Sequence, residues 1–205
     1  MPERAAPANR RERYAQMTRE EVVSAARKLF ATHGYEQTTV EKIAREAGVS
    51  TATVYAQCGG KEGLLRTLMD IWTTSPTVGR IIGDAVARPT GAEKLEVLAD
   101  GYIEHFLEAN DIMSVLYRAA ASSKPVEEFM EVAEQRHREA LEAITQSIAD
   151  VGALADGLSV GDAAKIIYFH FRYQQVVLAV ETFGWGVDRA KEWSLERVKA
   201  AILKD

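Results

Sequence analysis

The sequence predicts an all-α fold, with an N-terminal helix-turn-helix unit ahead of a larger C-terminal helical bundle. Three observations lead there. Apolar residues recur at helical spacing along most of the 205 residues, a period that a strand would not produce. Only five prolines interrupt the chain. The stretch TTVEKIAREAGVSTATVY, residues 38–55, holds two short helical patterns separated by Gly48, the residue type that most readily takes the left-handed conformation closing a helix. With 47% hydrophobic and 27% charged residues, the composition is that of a globular chain able to bury a core.

Residues 1–17 carry Arg4, Arg10, Arg11 and Arg13 without apolar periodicity. A mobile basic arm is expected, either touching phosphates or a minor groove or simply solvated. Thr18 and Glu21 have capping-box spacing and open a helix through Val22, Val23, Ala26, Leu29 and Phe30, ending near Gly34. Tyr35 should close a three-helix core. Thr38 and Glu41 repeat the capping box before Val40, Ile43, Ala44 and Ala47. Ser50 can cap the second short helix. Val49 and Val54 point inward, and small hydroxyl and methyl groups remain outside. A helix that slim fits a DNA major groove.

The next helix runs from Gly60 to Trp72, and Thr73-Thr74-Ser75-Pro76 marks a domain boundary. Gly59-Gly60-Lys61 is not a phosphate-binding loop, because Tyr55 stands where the earlier glycine belongs. Beyond the boundary the spacing predicts a short helix over Val78–Val86 and a stronger one from Gly91 to Leu107. A further helix is capped by Asn110, and a long amphipathic one follows Pro125. Ile166 to Phe183 is apolar on nearly every face, as for a helix covered by its own core and by a partner. A last helix spans about 188–203. Two such helices per subunit would make a four-helix dimer seam.

Leu29-Phe30, Gly34-Tyr35, Thr38-Thr39-Val40, Ile43-Ala44, Ala47-Gly48-Val49-Ser50, Thr53-Val54-Tyr55 and Lys61-Glu62-x-Leu64 occur in this order. The series resembles the DNA-binding domain of TetR-type transcriptional regulators, over about Thr18 to Trp72. The resemblance implies a mobile arm over 1–17, a DNA-binding domain over 18–72 and a ligand-binding and dimerisation domain over 73–205. It also implies that Thr39, Tyr55, the Ser50 region and Lys61 anchor DNA phosphates. Base reading then falls to the outer side of the second short helix. Thr51, Ala52 and Thr53 reach base edges or thymine methyls, and Gln57 can address adenine. The chain departs from the family at Ala56-Gln57-Cys58, where an aromatic, often a histidine, and then Phe are usual, which weakens one phosphate contact and removes core volume.

The net charge is −5, but it is divided: residues 1–72 hold 11 Lys/Arg against 9 Asp/Glu, so the acidic excess lies behind the proposed reading head. Phosphate attraction must therefore come from locally placed cations. The single cysteine, Cys58, excludes an internal disulfide framework and fits a reducing cytoplasm. It reads as a small buried residue rather than an oxidant sensor. No secretory signal is expected, and His170, Arg172 and Glu181 within the most apolar run argue against a membrane span.

No enzyme constellation emerges. His33, His105, His137 and His170 are isolated, without metal-ligand spacing, so neither metal nor cofactor is expected. Tyr102, His105, Phe106, Tyr117, His137, Phe169, Tyr173 and Gln174 could line an aromatic effector cavity or form ordinary helical core. Arg172 needs a counter-charge, from Glu181, another acid or an anionic ligand. The expectation is a homodimeric, cytoplasmic, ligand-responsive repressor that binds a palindromic double-stranded DNA operator and leaves it when a small molecule binds. The alternative is a helical scaffold of the same fold that no longer binds DNA, suggested by Ala56-Gln57-Cys58 and the weak positive charge of the head.

Overall fold

The computed structural model describes residues 10–73, 75–121 and 123–204, which are almost wholly helical, with no strand among them. The chain divides into two compact units. Residues 10–72 and Ser114–Glu127 form one; Thr73–Met113 and residues 128–204 form the other. The first unit thus takes in residues 114–127, a segment from the later half of the chain.

In the first unit α1 (Arg10–Gln37), α2 (Val40–Glu46) and α3 (Thr51–Cys58) pack pairwise against one another. Val22, Ala26, Phe30, Ile43 and Val54 are fully buried, and Phe30 meets Tyr35 with ring centroids 5.3 Å apart. α4 (Gly60–Thr73) adds Leu64, Leu65, Leu68 and Met69 to the buried set. Gly34, at φ 77°, interrupts α1, where the sequence placed the end of the first helix.

Two start signals differ from expectation. α1 begins at Arg10 rather than Thr18, so residues 10–17 are helix and not irregular arm; residues 1–9 lie outside the described residues. RRERYAQM lacks a packing stripe but consists largely of good helix formers, and Arg10 lies over the Tyr14 ring one turn away, at 5.7 Å. The cap of α2 is Thr39, whose hydroxyl accepts from the Lys42 N–H at 3.4 Å. Thr38 is buried instead, and its hydroxyl is shared between the Gly34 carbonyl at 2.8 Å and the Leu29 carbonyl at 3.2 Å. An inward-facing threonine serves the preceding turn and leaves capping to its neighbour.

The second unit holds α5 (Pro76–Ala87), most of α6 (Gly91–Ala120) and of α7 (Lys124–Asp150), then α8 (Val160–Phe171), α9 (Tyr173–Val177), a π-helical turn at Leu178–Thr182 and α10 (Val187–Ile202). Its core includes Ile81, Leu95, Leu98, Leu141, Ile144, Ile148, Ile167, Phe171, Val198 and Ile202. Lys94 is buried among these helices, with its ammonium 2.5 Å from the Val86 carbonyl in the last turn of α5, where a cation complements the helix dipole. No helix among the described residues is long and apolar enough to cross a membrane.

Here too tertiary contacts override the local reading. α6 is one helix, and Asn110 sits inside it rather than capping a new one; its side-chain oxygen accepts from the Tyr173 hydroxyl at 2.8 Å. The single helix expected over 166–183 is broken: Arg172 has ψ 150° and separates α8 from α9, and the π turn follows at Leu178. Neither glycine nor proline marks this break. Arg172 there donates to the Gln174 side chain at 2.9 Å and faces Glu134 of α7 at 3.9 Å, so its counter-charge comes from another helix and not from Glu181.

Candidate functional site

α3 exists because its two ends are chemically closed. The Ser50 hydroxyl accepts from the Thr53 N–H at 3.1 Å. The Gly59 N–H bonds the Tyr55 carbonyl at 3.0 Å, with Gly59 in the left-handed region. Val54 and Cys58, one turn apart, are buried and fix which side faces in. Thr51, Ala52, Tyr55 and Ala56 are exposed on the other side, with Thr53 and Gln57 half-buried between. Six of the eight expected DNA-contacting residues therefore lie on α3 and its cap, namely Ser50, Thr51, Ala52, Thr53, Tyr55 and Gln57, while Thr39 caps α2. Small outward side chains let such a helix approach base edges closely.

Lys61, the eighth, is on the first turn of α4. Its ammonium sits 4.0 Å from the Tyr35 ring centroid and 3.5 Å from the Glu36 carbonyl. Burial, with Glu62 and Glu36 nearby, pushes the Tyr35 phenol up to about 12. The α3–α4 joint is tight. Gly60 has φ 77°, and a Cβ there would fall 2.8 Å from the Tyr55 ring; a Cβ on Gly63 would fall 1.8 Å from the Cys58 carbonyl oxygen. The Cys58 thiol is buried, which raises its pKa, while the Arg19 charge acts in the opposite sense. A thiol so placed is poorly suited to reaction with oxidants.

Arg19 was missed by sequence reasoning. From α1 it bonds the Gln57 carbonyl at 2.6 Å and the Thr67 hydroxyl at 3.2 Å. Nothing in the local pattern marks it, because the partners are 38 and 48 residues away.

In the second unit the expected cavity residues separate into groups. Tyr102 stacks on Phe171 at 5.2 Å and 11°, and its hydroxyl is hydrogen-bonded to His137 Nε2. His137 meets the Tyr168 ring edge-on at 5.3 Å, and Arg172 lies 5.3 Å over the same tyrosine. Phe106 meets Tyr173 at 5.8 Å, and Gln174 is tied to Arg172. Desolvation raises the Tyr102 phenol far above its ordinary range and lowers both His105 and His137, the latter to about 4. The cluster is thus aromatic, and His137 within it is neutral near pH 7. Tyr117 lies in the segment grouped with the first unit. Phe169 is 60% exposed and begins a different series of rings. From Phe169 contacts of 5.3–5.9 Å run through His170, Trp193, Trp185 and Phe183. Among the described residues no group of three His, Cys, Asp or Glu could hold a metal ion.

Comparison with known proteins bears on the head first. Residues 22–68 match the family described as bacterial regulatory proteins, tetR family. Over 47 residues the chain is 49% identical to the HTH-type transcriptional regulator HbdR of Aromatoleum sp. (strain CIB), covering 23% of this chain and 20% of that protein. It is 32% identical over 78 residues to the fatty acid metabolism regulator protein of Bacillus subtilis (strain 168), covering 38% and 40%. The chain spans between a fifth and two fifths of the length of these curated relatives. The whole fold is similar to that of SmeT in complex with triclosan, with TM-score 0.79, 23% identity and 93% of each chain covered. SmeT is the repressor of the Stenotrophomonas maltophilia multidrug efflux pump SmeDEF. The chain therefore carries the N-terminal domain of the tetR family of bacterial regulatory proteins, on a TetR-type all-α fold.

Proposed function

We propose that the chain is a homodimeric transcriptional repressor that binds a near-palindromic operator and is released by a small molecule. The observation that carries this reading is the placement of α3: Val54 and Cys58 are buried, and Thr51, Ala52 and Tyr55 are exposed beside a satisfied cap. Thr51, Ala52, Thr53 and Gln57 read bases, and Thr39, Ser50, Tyr55 and Lys61 position the head on phosphates. The tetR-family match over residues 22–68 and the similarity to the HTH-type regulator HbdR support the same assignment.

Dimerisation places two such helices in successive major grooves, about 34–36 Å apart. The exposed rings of Phe169, Phe183 and Trp193 on the second unit are the proposed seam, because contiguous exposed aromatic surface is rare on monomers. The Tyr102–His137–Tyr168 cluster is the proposed effector region, in keeping with the fold shared with triclosan-bound SmeT. An effector there must bind the DNA-incompetent state more tightly than the competent one, since equal affinity shifts nothing.

The test is fluorescence anisotropy with a duplex from the chain's own promoter and a scrambled duplex, over a salt series. Tighter, salt-dependent binding to the promoter duplex is expected. Equal binding to both, or none, would leave a helical protein of this fold without operator recognition.

A further inference from the structure

One half-buried cation holds the recognition helix from behind. Arg19 Nη1 donates to the Gln57 carbonyl oxygen at 2.6 Å, and Arg19 Nη2 donates to Thr67 Oγ1 at 3.2 Å. Gln57 is in the last turn of α3, where carbonyls lose their intrahelical partners, and a positive charge there complements the helix dipole. Thr67 belongs to α4, and its hydroxyl donates onward to the Gly63 carbonyl at 2.9 Å. Gly63 itself lies against the Cys58 carbonyl. One side chain from α1 therefore joins the end of α3 to the middle of α4. A forked guanidinium holds its two donors in fixed directions toward acceptors on different helices, whereas an ammonium is a compact point charge on a flexible stem.

We propose that Arg19 is a positioning residue for DNA reading. It fixes the angle of α3 between α1 and α4 and makes no contact with nucleic acid. The proposal rests on reading α3 as the recognition helix. Two other roles give different signatures. A phosphate contact would, on removal, lower the salt slope of log affinity by about 0.9. A plain brace of the fold would lower thermal stability without changing the preference between sequences. Loss of angle lowers that preference at unchanged slope, because phosphate contacts position the head and base contacts discriminate.

The test uses the full chain as Arg19→Met, Arg19→Lys and Thr67→Val. Amide hydrogen exchange, without DNA, is followed at residues 55–61 and at Val22–Phe30. In folded Arg19→Met the first set should exchange about tenfold faster, as for a lost charge-assisted hydrogen bond, while the second set stays protected. Arg19→Lys should recover part of that protection. With promoter and scrambled duplexes, the ratio of affinities should fall about tenfold in Arg19→Met at unchanged salt slope. Thr67→Val should fall in the same direction by less, and it decides the matter if Arg19→Met does not fold. Unchanged exchange at residues 55–61, or a slope shallower by about one with the ratio kept, overturns the proposal. If the natural chain does not prefer the promoter duplex, the recognition reading fails, while the exchange measurement still decides whether the clamp exists.

Discussion

The Tyr102 hydroxyl and His137 Nε2 are hydrogen-bonded inside the second unit, between α6 and α7, with Phe171 stacked on the tyrosine. Burial, followed by the charges of His105, Arg138 and Arg172, holds His137 down at about 4, below its ordinary 6.5. The folded state thus refuses a proton that the unfolded chain accepts. Stability from this site is complete above the unfolded value and is lost as pH falls toward the folded one.

The expected outcome is a fall of roughly 2 kcal/mol in unfolding free energy between about pH 7 and pH 5. Urea titrations at both pH values measure it. His137→Gln should shrink the difference without abolishing it, since His105 and His170 are also lowered by burial.

The adjacent threonines of α2 should separate stability from DNA binding. Thr38→Val removes the buried hydroxyl that donates to the Gly34 and Leu29 carbonyls and should cost about 1–3 kcal/mol. Thr39→Ala removes an exposed cap, costing about 1 kcal/mol, and should also weaken operator binding. Thermal melts paired with anisotropy distinguish them: Thr38→Val should move the melt more, and Thr39→Ala the binding.

Gln57 and Lys61 should differ in kind. Gln57→Ala should lower affinity for the promoter duplex by about 1–3 kcal/mol at constant salt slope, the signature of a base contact. Lys61→Gln should weaken both duplexes alike and reduce the slope by about one. A Lys61→Gln slope equal to that of the natural chain would confine Lys61 to its place over the Tyr35 ring.

The rings of Phe169 and Trp193, 60% and 47% exposed, should be covered in the dimer. Phe169→Glu with Trp193→Glu is expected to give a folded monomer by sedimentation, with circular dichroism unchanged. Operator affinity should fall sharply, because two linked heads gain from effective concentration. A double variant that still sediments as a dimer places the seam elsewhere.

The head was legible because its signals are local. Gly48, Ser50 and the spacing of Val40, Ile43 and Val54 lie within fifteen residues, and each carries its own conformational preference. The errors fall where distant groups decide. Asn110 reads as a cap until the Tyr173 hydroxyl, 63 residues away, is seen to occupy it. The break at Arg172 has no glycine or proline to announce it, and its partner Glu134 is on another helix. Thr38 and Thr39 are equivalent as sequence; only the direction of the preceding turn tells them apart. Residue type alone picks the candidate effector residues from several helices, so the cluster around Tyr102 is reachable from sequence but the exposure of Phe169 is not.

The joint after α3 has one more consequence. Gly60 needs a backbone sign that chiral residues resist, and Gly63 leaves no room for even a methyl group. A saturation screen scored on reporter output would therefore flag both positions as sharply as any nucleotide-touching residue, although neither has a side chain to touch anything. Sensitivity at this joint would report hinge-free linkage of two rods, and a map of the reading surface drawn from such a screen would extend too far toward α4.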